Sequence, residues 1–170
     1  RSIMNLDKET GVSVMKIAEQ LDTGPVCNKY KIDLTKDLNA ADVADKLSLI
    51  AAEKILNSID DILDGNSKFI EQNHSEATYA SKIEKEEGKI DWKESAKKIN
   101  GKINGLYPAP GAFFLYNGER YKILKAEIGE GIGKPGEVIS NYLEIACGKK
   151  QSILIKEIQR QGKKPQKIGE

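Results

Sequence analysis

Thr10-Gly11-Val12-Ser13-Val14-Met15-Lys16-Ile17 runs through Ala18-Glu19-Gln20 into Leu21-Asp22-Thr23-Gly24-Pro25-Val26, and the fold of the first half turns on this stretch. Its opening residues alternate apolar and polar and carry β-branched side chains, the pattern of a strand over Gly11 to Ile17. Its close sets one carboxylate between an apolar residue and a Gly-Pro turn. Gly24 permits backbone angles that other residues avoid, and Pro25 fixes the next φ. An Asp in Asp-x-Gly commonly caps its own turn, and a structural Asx-turn is the plain reading of Asp22.

Outward from this loop, Val26 to Leu34 alternates again, with Val26, Asn28, Tyr30, Ile32 and Leu34 on one face. Two such strands joined by about ten residues predict a wide antiparallel hairpin. A long helix follows. Asn39 is a good N-cap, Asp42 sits in the electropositive first turn, and Gly65 suits the C-terminal cap. Val43, Leu47, Ile50, Ile55, Ile59 and Ile62 recur at helical spacing, as for a core-facing stripe. Asn66 to Ala77 is polar and aperiodic, as a linker is. The only histidine, His74, lies in it with no metal co-ligand or nucleophile in sequence reach.

Beyond the linker, Tyr79, Ile83, Ile90 and Trp92 are apolar anchors. Trp92 neighbours Asp91 and Glu94, which favours packing over stacking on a nucleic-acid base. A short helix is expected from Glu94 to about Asn104, stopped at Gly105. After Pro108-Ala109-Pro110-Gly111 the apolar period changes to two. Ala112 to Tyr116 and Tyr121 to Ala126 flank Asn117-Gly118, a strong type I′ hairpin signal. Gly136 to Ser140, Leu143 to Cys147 and Ser152 to Ile158 complete about five short strands, which suggests a small barrel.

The 170 residues suit one domain or two small ones, and 39% hydrophobic content is enough for modest cores. No apolar run approaches the ~18 residues of a membrane span, and the start has no signal-peptide pattern. Cys27 and Cys147 are far apart and lack a CxxC context, so free thiols are expected rather than a disulfide or metal site. Charge divides the chain. Residues 1–92 hold 12 Lys+Arg and 18 Asp+Glu, a net of −6. Residues 93–170 hold 15 and 8, a net of +7. A basic second half points to a polyanion, or to a lysine-rich wet surface.

Arg1-Ser2-Ile3, Glu9-Thr10-Gly11-Val12, Leu21-Asp22-Thr23-Gly24, Ile90-Asp91-Trp92 and Pro108-Ala109-Pro110-Gly111-Ala112 stand here in the order found in methionyl-tRNA formyltransferases. Gly162-Lys163-Lys164 is similar to that family's C-terminal pattern. The resemblance covers nearly the whole chain. It implies an α+β fragment: the C-terminal portion of a nucleotide-fold formyltransferase domain (1–73), a linker (74–87), and a small OB-like β-barrel domain that binds tRNA (88–170). A complete member begins with a segment that supplies a catalytic Asn and His. The chain lacks that segment and opens on Arg1, inside what would be the helix after a Ser-Leu-Leu-Pro loop, so the fragment alone is expected to be inactive.

The family moves a formyl group from 10-formyltetrahydrofolate to the α-amine of methionyl initiator tRNA, without a metal. The resemblance implies that Asp22 is the catalytic Asp, which sets the His and a bound water. It also implies that the backbone of Leu21, Thr23, Gly24 and Pro25 holds the pterin. A partly buried carboxylate is pushed toward neutrality, which suits a proton shuttle. The expected phosphate contacts are Arg120, Lys122, Lys125, Lys149, Lys150, Lys156, Arg160, Lys163 and Lys164. Tyr107, Phe113, Phe114, Tyr116 and Tyr121 stand among them and read mainly as barrel core. The expectation is a cytoplasmic monomer with no membrane partner. Formyl transfer to a sugar-nucleotide amine, a related folate enzyme, and a non-catalytic RNA-binding module remain the alternatives.

Overall fold

The computed structural model describes residues 1–34 and 38–169, which pack as two compact units. One comprises residues 8–34 and 42–81, and the other residues 1–7, 38–41 and 82–169. No described helix is long and apolar enough to cross a membrane.

The first unit is built on an antiparallel hairpin of β1 (Glu9–Met15) and β2 (Val26–Asp33). Val12 lies opposite Tyr30 and Val14 opposite Asn28, so the anticipated alternation is realised. β1 starts and ends two residues earlier than the alternation indicated, and Ile17 is 98% exposed. α1 (Ala40–Leu63) begins where Asn39 Oδ1 accepts from the Ala41 N–H at 2.9 Å. It ends in a Schellman motif. Gly65, at φ 73°, donates to Ile62 O, and the Asn66 N–H donates to Asp61 O.

The six-residue stripe anticipated on α1 is only partly covered. Val43 is buried and Leu47 and Ile50 are half-buried, but Ile55, Ile59 and Ile62 are exposed. Ser58 is the other fully buried position. Its hydroxyl accepts from Asn28 Nδ2 at 3.0 Å and shares a hydrogen bond with the Tyr30 hydroxyl. A helix of 24 residues is about 36 Å long, and strands of seven or eight reach about 26 Å. The hairpin is too short to cover the helix.

The second unit centres on α2 (Ala96–Gly105), capped by Ser95, with the Leu106 N–H closing its last turn. The sheet comprises β3 (Ala112–Tyr116), β4 (Glu119–Gly129), β5 (Glu144–Cys147), β6 (Gln151–Arg160) and β7 (Gln166–Lys167). Its order is β3-β4-β6-β5, with β7 beside β6, and every pairing is antiparallel. The sheet curls into a half-barrel, in keeping with the OB-like expectation. Asn117 and Gly118 have φ of 49° and 78°, as a type I′ turn requires. Gly136 to Ser140 is not a regular strand: a single bridge links Val138 to Ile145, and Gly136, Glu137 and Ile139 make scattered backbone hydrogen bonds to β5. The two-residue β7 was not anticipated. Ile99, Ile103 and Leu106 pack with Ile123, Ile153 and Ile155 into one buried cluster.

Residues 1–7, grouped with the hairpin in the sequence reading, pack on α2 instead. A Cβ at Gly105 would lie 3.1 Å from Met4 N, and one at Gly101 would lie 3.1 Å from Ile3 O. The two glycines, one turn apart, open the groove that this segment fills. Arg1 forks onto Glu87, with Nη1 to Oε2 at 2.6 Å and Nη2 to Oε1 at 3.0 Å. The guanidinium, together with the Glu84 N–H, pulls the Glu87 carboxyl down to about 2.

Candidate functional sites

In the first unit, the ten residues between β1 and β2 fold into a loop with Asp22 at φ 57°, a left-handed angle that Asp tolerates better than most residues. Gln72 holds it. Its Nε2 donates to Asp22 O and to Gly24 O, both at 2.8 Å. Gly24 is buried so tightly that a Cβ would collide with the Lys16 carbonyl. Thr23 Oγ1 donates to Gln20 O, and the Lys16 N–H donates to Pro25 O. Every residue expected to contact the pterin thus lies on one braced turn.

Asp22 itself is exposed, not partly buried as the chemistry suggested. It crowns the turn, and Gln72 grips its carbonyl rather than its carboxylate. The loop borders a groove of about 1020 Å³ in the same unit. Leu21, Val26, Ile70 and Tyr79 give it apolar wall, and Asp22, Thr23 and Gln72 a polar edge. Such a lining suits a flat ring with hydrogen-bonding edges. His74 also borders the groove and is exposed. Among the described residues no cluster of His, Cys, Asp and Glu is placed to hold a metal. Cys27 and Cys147 are free thiols, and burial pushes Cys147 up.

The nine basic residues of the second unit do not form one patch. Arg120 and Lys122 lie on β4, Arg160 ends β6, and Lys163 and Lys164 follow Gly162 in the next turn. Lys149 and Lys150 sit before the other end of β6, both at positive φ. Ten residues of strand separate these ends, about 33 Å. Lys125 is exposed on the irregular middle of β4. Two members are already paired: Lys156 with Glu127 at 3.0 Å, and Arg160 with Glu119. Phe113 is buried, Phe114 and Tyr121 stack with centroids 5.6 Å apart, and Trp92 meets Phe114 edge-on. These rings are packing elements. Tyr116 is 63% exposed.

The family profile for the formyl transferase C-terminal domain matches residues 82–170. The chain belongs to that family. The formyl transferase C-terminal domain thus spans the whole curled sheet and α2. Across all 170 residues the chain is 59% identical to a methionyl-tRNA formyltransferase of Pelagibacter ubique (strain HTCC1062), covering 55% of that protein. It is 40% identical over 169 residues to the methionyl-tRNA formyltransferase of Brucella canis, covering 97% of this chain and 55% of that protein. The chain therefore spans about half the length of the curated relatives it matches. In fold it is similar to HypX from Aquifex aeolicus in complex with tetrahydrofolic acid, with a TM-score of 0.71 and 22% identity over 98% of this chain and 30% of that one.

Gln72 and Gln159 went unread in the sequence. Each acts by position: Gln72 through two carbonyls 48 and 50 residues away, and Gln159 by donating to Lys163 O at 2.9 Å. No local pattern marks such a glutamine.

Proposed function

We infer that this chain is part of a methionyl-tRNA formyltransferase, and that in the whole protein it contributes the folate-side loop and the tRNA-holding domain. One observation carries the reading: the 59% identity to a protein of that name extends across both units rather than only the C-terminal one. The two units fit two tasks. The hairpin loop offers a braced backbone, one carboxylate and a groove with apolar walls. The sheet unit carries the basic residues.

When bound, 10-formyltetrahydrofolate supplies an activated formyl group. The attacking α-amine must lose a proton, and on this reading Asp22 manages it, directly or through water. The loop from Leu21 to Pro25 presents backbone to the ring edge, and Gln72 keeps that backbone fixed. Lysines and arginines of the sheet unit hold tRNA by its phosphates, so their binding is salt-dependent and indifferent to sequence. The setting is the cytoplasm, with a single chain acting on initiator tRNA.

The test is Asp22→Asn in the complete protein, which preserves shape and removes basicity. Formyl transfer is expected to fall about 10²–10⁴-fold, with folding intact. Near-normal turnover would return Asp22 to a turn-capping role.

A further inference from the structure

We propose that the β4–β6 surface beside Pro110 is a built subsite for one phosphate group; the assignment of that phosphate to a tRNA backbone rests on the reading above. Strand pairing makes the site. Lys122 lies between Phe113 of β3 and Gln159 of β6, and Arg120 lies two residues along on the same face. Arg120, Lys122 and Gln159, together with Pro110, Arg160 and Gly162, line a cavity of about 310 Å³, large enough for a phosphodiester.

The cations are held before any ligand arrives. The Arg120 guanidinium stacks 3.7 Å over the Phe113 ring, and Phe113 is itself buried. The Lys122 stem lies across Gly111, which sits at φ 84° with no room for a Cβ. The Lys122 Nζ has only a 3.5 Å contact to Pro108 O. Arg120 Nε is buried without a hydrogen-bond partner, a state that costs stability. Among the described residues neither Arg120 nor Lys122 has an acidic partner. The nearby acid, Glu119, is engaged by Arg160 and by the Tyr121 hydroxyl. Two ordered, unneutralised cations with donors to spare call for a small multivalent oxyanion. Phosphate meets that need better than a single carboxylate, which one arginine fork satisfies. By contrast, Lys149 and Lys150 sit on an exposed turn and border none of this cavity.

The test uses the whole chain, ¹⁵N-labelled, titrated with inorganic phosphate against sodium chloride of equal ionic strength. Saturable shifts are expected at the Gln159 side-chain amide and at the Gly111 and Gly162 N–H groups. Lys122→Gln keeps the stem over Gly111 and should weaken phosphate binding roughly tenfold, about the worth of one charged hydrogen bond. Lys46→Gln, exposed on α1 in the other unit, should leave it unchanged. A dispersed spectrum of each variant shows that it has folded. With tRNA, Lys122→Gln should lower the slope of log affinity on log salt by roughly 0.7–0.9, one phosphate contact. No shifts, or weak non-saturating shifts at every surface lysine, would overturn the subsite even if tRNA binds. Saturable phosphate binding without any tRNA binding would leave the subsite standing and remove the tRNA reading.

Discussion

The two units spend their apolar residues differently. In the unit of α2 and the sheet, Ile99, Ile103 and Leu106 are fully buried against Ile123, Ile153 and Ile155. In the unit of the hairpin and α1, Leu49, Leu56 and Leu63 repeat every seventh residue and remain 71%, 66% and 78% exposed. One unit closes a core from its own sequence. The other offers an apolar helix face for which its own hairpin has no cover. A 24-residue helix with two apolar faces is built to be enclosed on both sides. The curated relatives are nearly twice as long as this chain.

The largest expected contrast is in core truncation. Ile103→Ala should cost about 2–5 kcal/mol, read as a drop in the denaturant midpoint of the sheet unit. Leu56→Ala, on the open face of α1, should change stability by no more than about 0.5 kcal/mol. Equal costs would mean that Leu56 is packed and the contrast is false.

A smaller effect concerns the seam that residues 1–7 make on α2. Gly105→Ala gains helix propensity but brings a methyl against Met4, in a groove without spare room. Overpacking costs about 1–3 kcal/mol and exceeds the propensity gain of up to about 1 kcal/mol, so the variant should be net less stable. A stabilised Gly105→Ala would show that the N-terminal segment does not occupy that groove.

The smallest effect is a pH dependence. In the folded chain Glu87 is lowered from 4.5 to about 2, chiefly by its hydrogen bond from Arg1. A depressed carboxyl gives stability that is present above the unfolded value and lost as pH falls. The thermal midpoints of wild type and Glu87→Gln should therefore differ above pH 4.5 and converge as pH falls toward 2. A difference that persists at pH 2 would assign the effect to packing rather than charge.

Local chemistry explains what the sequence revealed. Asn117-Gly118, the Asn39 cap, the Gly65 stop and the alternation of β2 each depend on a few neighbouring residues, and each is realised. Misreadings arose where distant residues decide. Ile55, Ile59 and Ile62 have the spacing of a buried stripe, but the length of the partnering hairpin determines how much of a helix is covered. Arg1 to Leu6 gave no sign of its destination, because the groove that takes it is made by Gly101 and Gly105, and of these the sequence singled out only Gly105, as a helix stop. The Asp22 loop was legible from Asp-x-Gly-Pro, yet the brace on it comes from Gln72, some fifty residues on. The basic residues were legible as a list only. Strand register, with Lys122 between Phe113 and Gln159, sets Lys122 and Arg120 in one cavity beside Arg160, which is already paired to Glu119.

The most direct test is hydrogen exchange of the whole chain, with and without tRNA at low salt. Without tRNA, amides of α2, β4 and β6 should exchange at least about a hundredfold more slowly than those of β1, β2 and α1, as expected of a closed core beside an open one. With tRNA, added protection should fall on β4, the end of β6 and the turn at Gly162, and leave the hairpin unchanged. Equal protection of the two units, or tRNA protection centred on β1 and β2, would contradict the division between a self-contained basic unit and an open unit bearing Asp22.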